Sequence, residues 1–456
     1  MAEADHWATF FRHSGWLMIA NVAGGALMWA VHLLSRKTGP AEYGLFDTAF
    51  LPLVMCIPAA PLQMVMAQQT AKALANDRKG ELAGMTRMVW LGTFVLWLVG
   101  VAVVLILQDH IRASWKISNP AGLWVTVLVL LFALWIPLFQ GMLQGQQDFL
   151  WLGWSIMSNS IGRVAVAAVA VLAFGGLAAG MMSGVLAGMV AAVLIAIWQT
   201  RCLWGTPARP FDWSSLLPQV LPLMIGCWVV QFLFTADGMF VRAYFSEAQA
   251  GYYGSAGTLS RALMWFVLPL VTVMFPRIVH SSVKAEKTNI LGLVLGGTAV
   301  LSIAGAIALS LLGPIIVGIV NGPKFVEGAC PLLPWYAGAM VPLSLANVLV
   351  NALLARSSFR IVPWLCALAL AYIFALLFSL THFHDTPVVR MVMVLKILGV
   401  VNLLLLALCA WFTWTDKTAK LTPSAVPAEV GAPGACGRPS PRADARAGAK
   451  CKRANK

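Results

Sequence analysis

The apolar residues of this chain come in runs of about 20, separated by short polar breaks, and a run of that length suits an α-helix crossing a bilayer core of about 30 Å. In hydrocarbon every backbone N–H and C=O must find a partner within the protein, so such a chain folds as membrane helices or as a closed barrel. Barrel strands alternate in polarity with period two, and these runs do not. Composition agrees: 60% of the 456 residues are hydrophobic and 11% charged, against about 25% charged in an ordinary soluble domain. A soluble enzyme and a disordered chain are both excluded.

The pattern predicts an all-α polytopic membrane protein with twelve transmembrane helices. Their approximate limits are 14–35, 45–67, 88–107, 122–143, 154–174, 177–198, 216–241, 252–275, 290–312, 329–354, 361–381 and 391–413. Spans five and six are separated only by a tight turn at Gly175 and Gly176. The N-terminal stretch opens on acids and has no clear cleavage site, so the run from Ser14 is expected to stay as the first span. The expected division is a segment 1–13, an N-terminal lobe 14–205, a C-terminal lobe 206–414 and a basic tail 415–456. From Lys417 to Lys456 the tail holds half of the net charge of +14, and it is too rich in Ala, Pro, Gly and Arg to fold alone. Basic loops facing the cytoplasm explain the charge without nucleic-acid binding.

Two stretches repeat. LLSRKTGPAEYGLFDTAF surrounds Gly44, and FVRAYFSEAQAGYYGSAG surrounds Gly251. Each follows an odd-numbered span, and each is expected to make a Gly–aromatic turn into the next. Spans two and eight also both carry prolines: Pro52, Pro58 and Pro61 in one, Pro269 and Pro276 in the other. Both should be kinked. Six spans plus six in the same orientation imply two lobes related by a pseudo-twofold axis along the membrane normal, with a substrate site between them. The cysteines show no CxxC pair and read as small buried hydrophobes. GGALMWA and GMMSGVLAG read as helix-packing faces. His382, His384 and Asp385 read as a solvated turn, and the boundary tryptophans, Trp90 and Trp204 among them, as interfacial anchors.

Four stretches, in order, resemble the polysaccharide-flippase branch of the multidrug/oligosaccharidyl-lipid/polysaccharide exporter superfamily. They are GPAEYGLF after span one, QGMLQGQQDF from Gln140 to Phe149, TADGMFVRAYFSEAQAGYY from Thr235 to Tyr253, and NGPKFVEGACPLLPWYA from Asn321 to Ala337. The resemblance covers about residues 10–414. Gly238 departs from the pattern, because the family often has Arg after the Asp. The resemblance implies alternating-access movement of an undecaprenyl-diphosphate-linked oligosaccharide across the bacterial inner membrane, with no catalysis by the chain. It implies membrane lipid around the protein, a polysaccharide polymerase and glycosyltransferases as partners, and coupling to a Na+ or H+ gradient with no bound cofactor. The rival readings are a multidrug exporter of the same superfamily, which would use mid-span carboxylates, and a membrane-embedded glycosyltransferase or polymerase, which would need a large outer loop bearing acids or His.

Charged groups in mid-membrane must face protein or water. Arg163 and Arg261 each lie about 14 Å deep at the helical rise, and Lys396 lies near a span end. As a cationic cavity they would neutralise a diphosphate; the alternative is structural pairing with packed polar groups, Asn159 among them for Arg163. Asp237 is the candidate for a coupling ion, for an ion pair with Arg261 or Arg242, or for an interfacial acid. Asp47 is read as interfacial. Asn21, His32, Gln63, Gln231, Ser344, Asn347, Asn351 and Asn402 either line the passage or join helices; His32 stands apart from the other histidines, so it is not read as a metal ligand.

With the N-terminus inside, inner segments hold fourteen Lys/Arg and outer segments seven, which places both termini in the cytoplasm. A reporter active only in the cytoplasm and fused after Lys420 should therefore be active. A periplasmic signal at that position would overturn the topology.

Overall fold

The computed structural model describes residues 2–214, 216–264, 290–355 and 359–415. Among them there is no strand. The helices are α1 (Ala2–Ala30), α2 (Ser35–Gly44), α3 (Leu51–Met55), α4 (Ala59–Ala75), α5 (Lys79–Ser114), α6 (Ala121–Gly145), α7 (Phe149–Leu172), α8 (Leu177–Trp204) and α9 (Leu217–Tyr244). Then come α10, described over 247–264, and α11 (Ile290–Val320), α12 (Val326–Ala329), α13 (Leu333–Ala355), α14 (Val362–His382) and α15 (Pro387–Thr415). A 3-10 turn, Val31–Leu34, joins α1 to α2, and a π-helical turn, Leu45–Phe50, joins α2 to α3.

Ten helical stretches among the described residues are long and apolar enough to cross a membrane. The first, Gly15–Ala75, has 61 residues. Unbroken it would reach about 90 Å at 1.5 Å per residue, so it accounts for two crossings. Span eight, 252–275, runs beyond the described residues, as do Pro269, Pro276 and the tail from residue 416.

Local sequence explains the breaks. Gly39 is the one residue of α2 outside helical geometry, at φ 78° and ψ 172°, a region an L side chain rarely adopts. Pro58 interrupts the second span as expected from its lost N–H, and α4 starts at Ala59. Between α7 and α8 the chain reverses through Gly175 and Leu177, both at positive φ. The first candidate span begins at Gly15, as expected, on a helix that starts at Ala2. One expectation needs correction. Gly44 and Gly251 do not make the turns: Gly44 has helical angles and Gly251 lies inside α10.

Packing groups the helices in two sets. The first is α1 with α4 to α8; the second is α9, α11, α13, α14 and α15. Small residues set the approach within the first set. Gly184 and Gly188 of α8 face Arg163, Ala167 and Asn159 of α7, and Gly141 and Gly145 of α6 face Gln63, Met66, Ala67 and Thr70 of α4. Without a hydrophobic drive between helices in lipid, this close backbone approach supplies the association. The segment between α8 and α9 is fastened to α5, since Arg209 donates its N–H to Gly80 and Arg87 donates to the carbonyls of Trp204 and Thr206. Trp90 and Trp204 pack edge to face, and Trp90 also meets Trp135 and Phe139.

The two sets meet where the repeated stretches touch. A Cβ on Gly44 would lie 2.5 Å from the Gly251 nitrogen, and one on Gly251 would collide with the Pro40 carbonyl. Both obstacles are backbone and cannot swing away. Gly251→Ala should therefore destabilise the protein by about 1–3 kcal/mol, read as a lower melting temperature in detergent. Gly25→Ala, where a Cβ meets nothing within 4 Å, should not. Equal melting of the two variants would remove the contact from the account.

Candidate functional site: buried charges where the two helix sets meet

Around the Gly44–Gly251 contact, side chains from both sets bond to each other. Arg242 at the end of α9 is only 1% exposed. It donates to the carbonyls of Trp115, Lys116 and Ala41, and Lys116 donates back to the Phe245 carbonyl. Asn321 donates to Ser35 at 2.9 Å and accepts from Ser255 at 2.9 Å. Phe325 packs edge to face on Tyr43 and Tyr252. Carbonyls at loop ends lack helical partners, so a cation that takes three of them ties loop and helix together.

Deeper in, Asp237 of α9 is fully buried. Arg261 of α10 donates to both its oxygens, at 3.0 and 3.3 Å. Tyr253 donates to Oδ2 at 2.8 Å, and Tyr336 of α13 donates to the same oxygen. Arg261 also lies 5.5 Å from the ring centres of Phe234 and Tyr336. A desolvated carboxylate is tolerable only when paired and hydrogen-bonded, and this one has a cation and two phenols. Of the three roles left open for Asp237, the geometry is that of the ion pair with Arg261. Arg242 is not its partner, and the acid is far from interfacial. Gly238 fits the same packing, because a Cβ there would lie 3.3 Å from the backbone of Thr48 at the π-helical turn, a tight approach.

Asp47 corrects an expectation. It is 2% exposed and sits in the π-helical turn, not at an interface. Thr258 of α10 donates to Oδ1 at 2.7 Å, while Oδ2 is buried with no hydrogen-bond partner. His32 joins the same cluster: its Nδ1 is 2.9 Å from the Tyr43 hydroxyl and 3.8 Å from Asp47 Oδ1. The Tyr43 hydroxyl is in turn 3.1 Å from Thr258.

Arg163 of α7 is 6% exposed. Its Nε is buried without a hydrogen-bond partner, and it interacts through space with Asp47 and His32. No carboxylate among the described residues lies within the 4.0 Å of an ion pair with it. Lys396 is apart from this cluster, exposed on α15 with its Nζ 4.9 Å from the Trp335 ring centre. Several span amides join helices: Asn402 donates to the Ala339 carbonyl and Gln63 to Gln144. Asn21 and Ser344 bond their own helix backbone.

Sequence reasoning missed Tyr43, Tyr253, Tyr336, Thr258 and Asn321. A signal was present: the chain has six tyrosines, and Tyr43, Tyr253, Tyr336 and Tyr372 are at most 1% exposed. A buried phenol usually finds a partner for its hydroxyl, and three of these four do, on His32 and Thr258 for Tyr43 and on Asp237 for Tyr253 and Tyr336, whereas the Tyr372 hydroxyl has none.

Long apolar helices in two packed sets, with buried charges at their junction, define a polytopic transporter-like fold. Similar solved structures include the inward-facing conformation of a multidrug resistance MATE family transporter of the MOP superfamily. It is 13% identical, with a TM-score of 0.67 over 88% of this chain and 96% of that one. The lipid II flippase MurJ in an inward closed conformation is 14% identical, with a TM-score of 0.64 over 86% of each chain. An outward-facing MATE family transporter of the same superfamily is 14% identical, with a TM-score of 0.52 over 87% and 94%. No curated protein matches the sequence. The profile described as "Polysaccharide biosynthesis protein" matches residues 10–282, and the chain belongs to that family.

The ion pair predicts a double-mutant result. Removing one partner of a buried pair costs about 3–5 kcal/mol, so Arg261→Gln should lower membrane abundance and melting temperature. Adding Asp237→Asn should recover part of the loss. No recovery would show that Arg261 does not act through Asp237.

Proposed function

We propose that the chain is an alternating-access flippase for an undecaprenyl-diphosphate-linked oligosaccharide, working in the bacterial inner membrane with both termini in the cytoplasm. The two helix sets act as the repeat-related lobes. Family membership supports a role in polysaccharide biosynthesis, and the fold supports transport in preference to catalysis. On this reading the Gly44–Gly251 contact closes the outer end of the passage.

The observation that carries the substrate class is Arg163, a buried guanidinium with an unpartnered Nε and no direct ion pair among the described residues. A lipid diphosphate needs compensating charge in a low-dielectric passage, and a guanidinium supplies it with a fork matched to phosphate oxygens. Arg261 is less free to do so, because Asp237 already takes its charge; it orients the site from behind. Lys396, exposed beside Trp335, is a further cation along the passage.

Arg163→Ala should abolish most export while the protein reaches the membrane at normal abundance. Arg163→Lys should retain part of the export, since charge survives and the fork is lost. The checks are surface polysaccharide export and membrane abundance, measured together. Normal export by Arg163→Ala at normal abundance would rule out the anion-binding role. A multidrug exporter would instead show drug efflux independent of glycosyltransferase genes.

A further inference from the structure

Asp47 is the buried charge the proposed substrate does not use, and its surroundings are those of a proton site. Oδ1 takes one hydrogen bond, from Thr258; Oδ2 is buried and bare. An isolated carboxylate oxygen in a dry interior is costly unless it is neutralised. A metal ion would need several oxygen ligands around that atom, and among the described residues no group of three or more His, Cys, Asp or Glu could hold one. A proton needs one oxygen and a route.

His32 Nδ1, Tyr43 OH, Thr258 Oγ1 and Asp47 Oδ1 form a continuous chain of contacts at 2.9, 3.1 and 2.7 Å. Each hydroxyl has one proton to donate. When Asp47 is charged, Thr258 donates to it, Tyr43 donates to Thr258, and His32, protonated on both ring nitrogens, donates Nδ1–H to Tyr43. When Asp47 is protonated on Oδ1, every bond reverses: Asp47 donates to Thr258, Thr258 to Tyr43, and Tyr43 to Nδ1 of a neutral His32 that keeps its Nε2–H. The three contacts are made in both polarities. The polarities differ by the placement of one proton, which leaves one end of the chain and appears at the other without breaking a heavy-atom contact.

The chain also joins the first part of the sequence to the second. His32, Tyr43 and Asp47 belong to the first 50 residues and Thr258 to α10. Gly254, one turn before Thr258, is where a Cβ would press on Asp47 Oδ2 at 2.9 Å. The relay is therefore complete only while the Gly44–Gly251 end is closed. The charged or titratable groups facing Asp47 are His32 on the 3-10 turn, Tyr43 on α2, Arg163 on α7, Asp237 on α9 and Arg261 on α10. Asp237 and Arg261 satisfy each other directly. Arg163 acts on Asp47 only through space, so it does not fill the bare oxygen.

We propose that Asp47 is the binding site for one exchangeable proton, passed along Thr258 and Tyr43 to His32, and that its occupancy is linked to closure of the Gly44–Gly251 end. A proton on Asp47 removes the bare charge while the end stays closed. Without it, the charge is relieved by opening, which lets water reach the carboxylate. Binding and closure are then reciprocally linked. The inference rests on the alternating-access part of the proposed function but not on the substrate.

The test uses the full chain without substrate. Spin-labelled non-natural residues are placed at the exposed positions Lys37 and Glu247, and their distance distribution is measured from about pH 5 to about pH 9, spanning the ordinary range of carboxylate and imidazole titration. The parent should be closed at the acid end, with the ratio of separated to closed forms rising by up to about tenfold per pH unit, the limit for one proton. Asp47→Asn, neutral at every pH, should stay closed with no response. Thr258→Val should open at lower pH than the parent, and Thr258→Ser should restore the parent curve. A protonated-carboxyl infrared band appearing on acidification should be missing from Asp47→Asn. A parent that ignores pH, or an Asp47→Asn variant that follows the parent curve, overturns the proposal. Should Asp47→Asn fail to fold, parent-like behaviour of Thr258→Val does the same. Export defects of Arg163 variants are read separately, so failure of the substrate assignment is distinguishable.

Discussion

The close approach of Gly44 and Gly251 is the contact on which the polar centre depends. With no side chain at either position, the backbone of 40–44 can lie against the start of α10. That brings Tyr43 and Asp47 within hydrogen-bonding reach of Thr258. The two residues come from the repeated stretches of the two halves, so a single steric condition, met twice, sets the register between the helix sets. The carbonyl clamp of Arg242 and the serine–asparagine–serine link through Asn321 hold the same end from either side.

Inside that junction, charge is arranged by what water can no longer do. Asp237 replaces its hydration with a guanidinium and two phenols. Arg242 replaces its hydration with three carbonyls. Each is a complete substitution, and both belong to the architecture. Asp47 and Arg163 are incomplete: one carboxylate oxygen and one guanidinium nitrogen are buried without a partner. What separates Arg261 from Arg163, which share a similar depth and an unpartnered Nε, is the ion pair: Arg261 has Asp237 at 3.0 Å, and Arg163 has no carboxylate within 4.0 Å among the described residues.

The span pattern, the helical class and the place of the breaks were legible because a bilayer leaves few options: length and apolar composition decide what crosses. The helix-packing role of GMMSGVLAG was legible for a similar reason, since small residues at a spacing of four make one face. The tight reversal at Gly175 and the break at Pro58 follow from backbone chemistry alone. The polar site was only partly legible. Arg163, Arg261 and Asp237 announced themselves as charges inside apolar runs. Their partners did not, because Tyr253, Tyr336, Thr258 and Asn321 are uncharged and unremarkable one at a time.

The sequence by itself determined that this chain is a multi-pass helical membrane protein with an internal repeat and a few charges that must avoid lipid. These are consequences of local composition and of spacing along the chain. Only the tertiary structure decided which charge is spent and which is open. Asp47 and Thr258 are more than two hundred residues apart, and whether an acid at a helix start meets water or a buried hydroxyl depends on what packs over it. The same holds for Gly44: a sequence reads it as a turn, whereas in the fold it is the space into which the other half of the molecule fits.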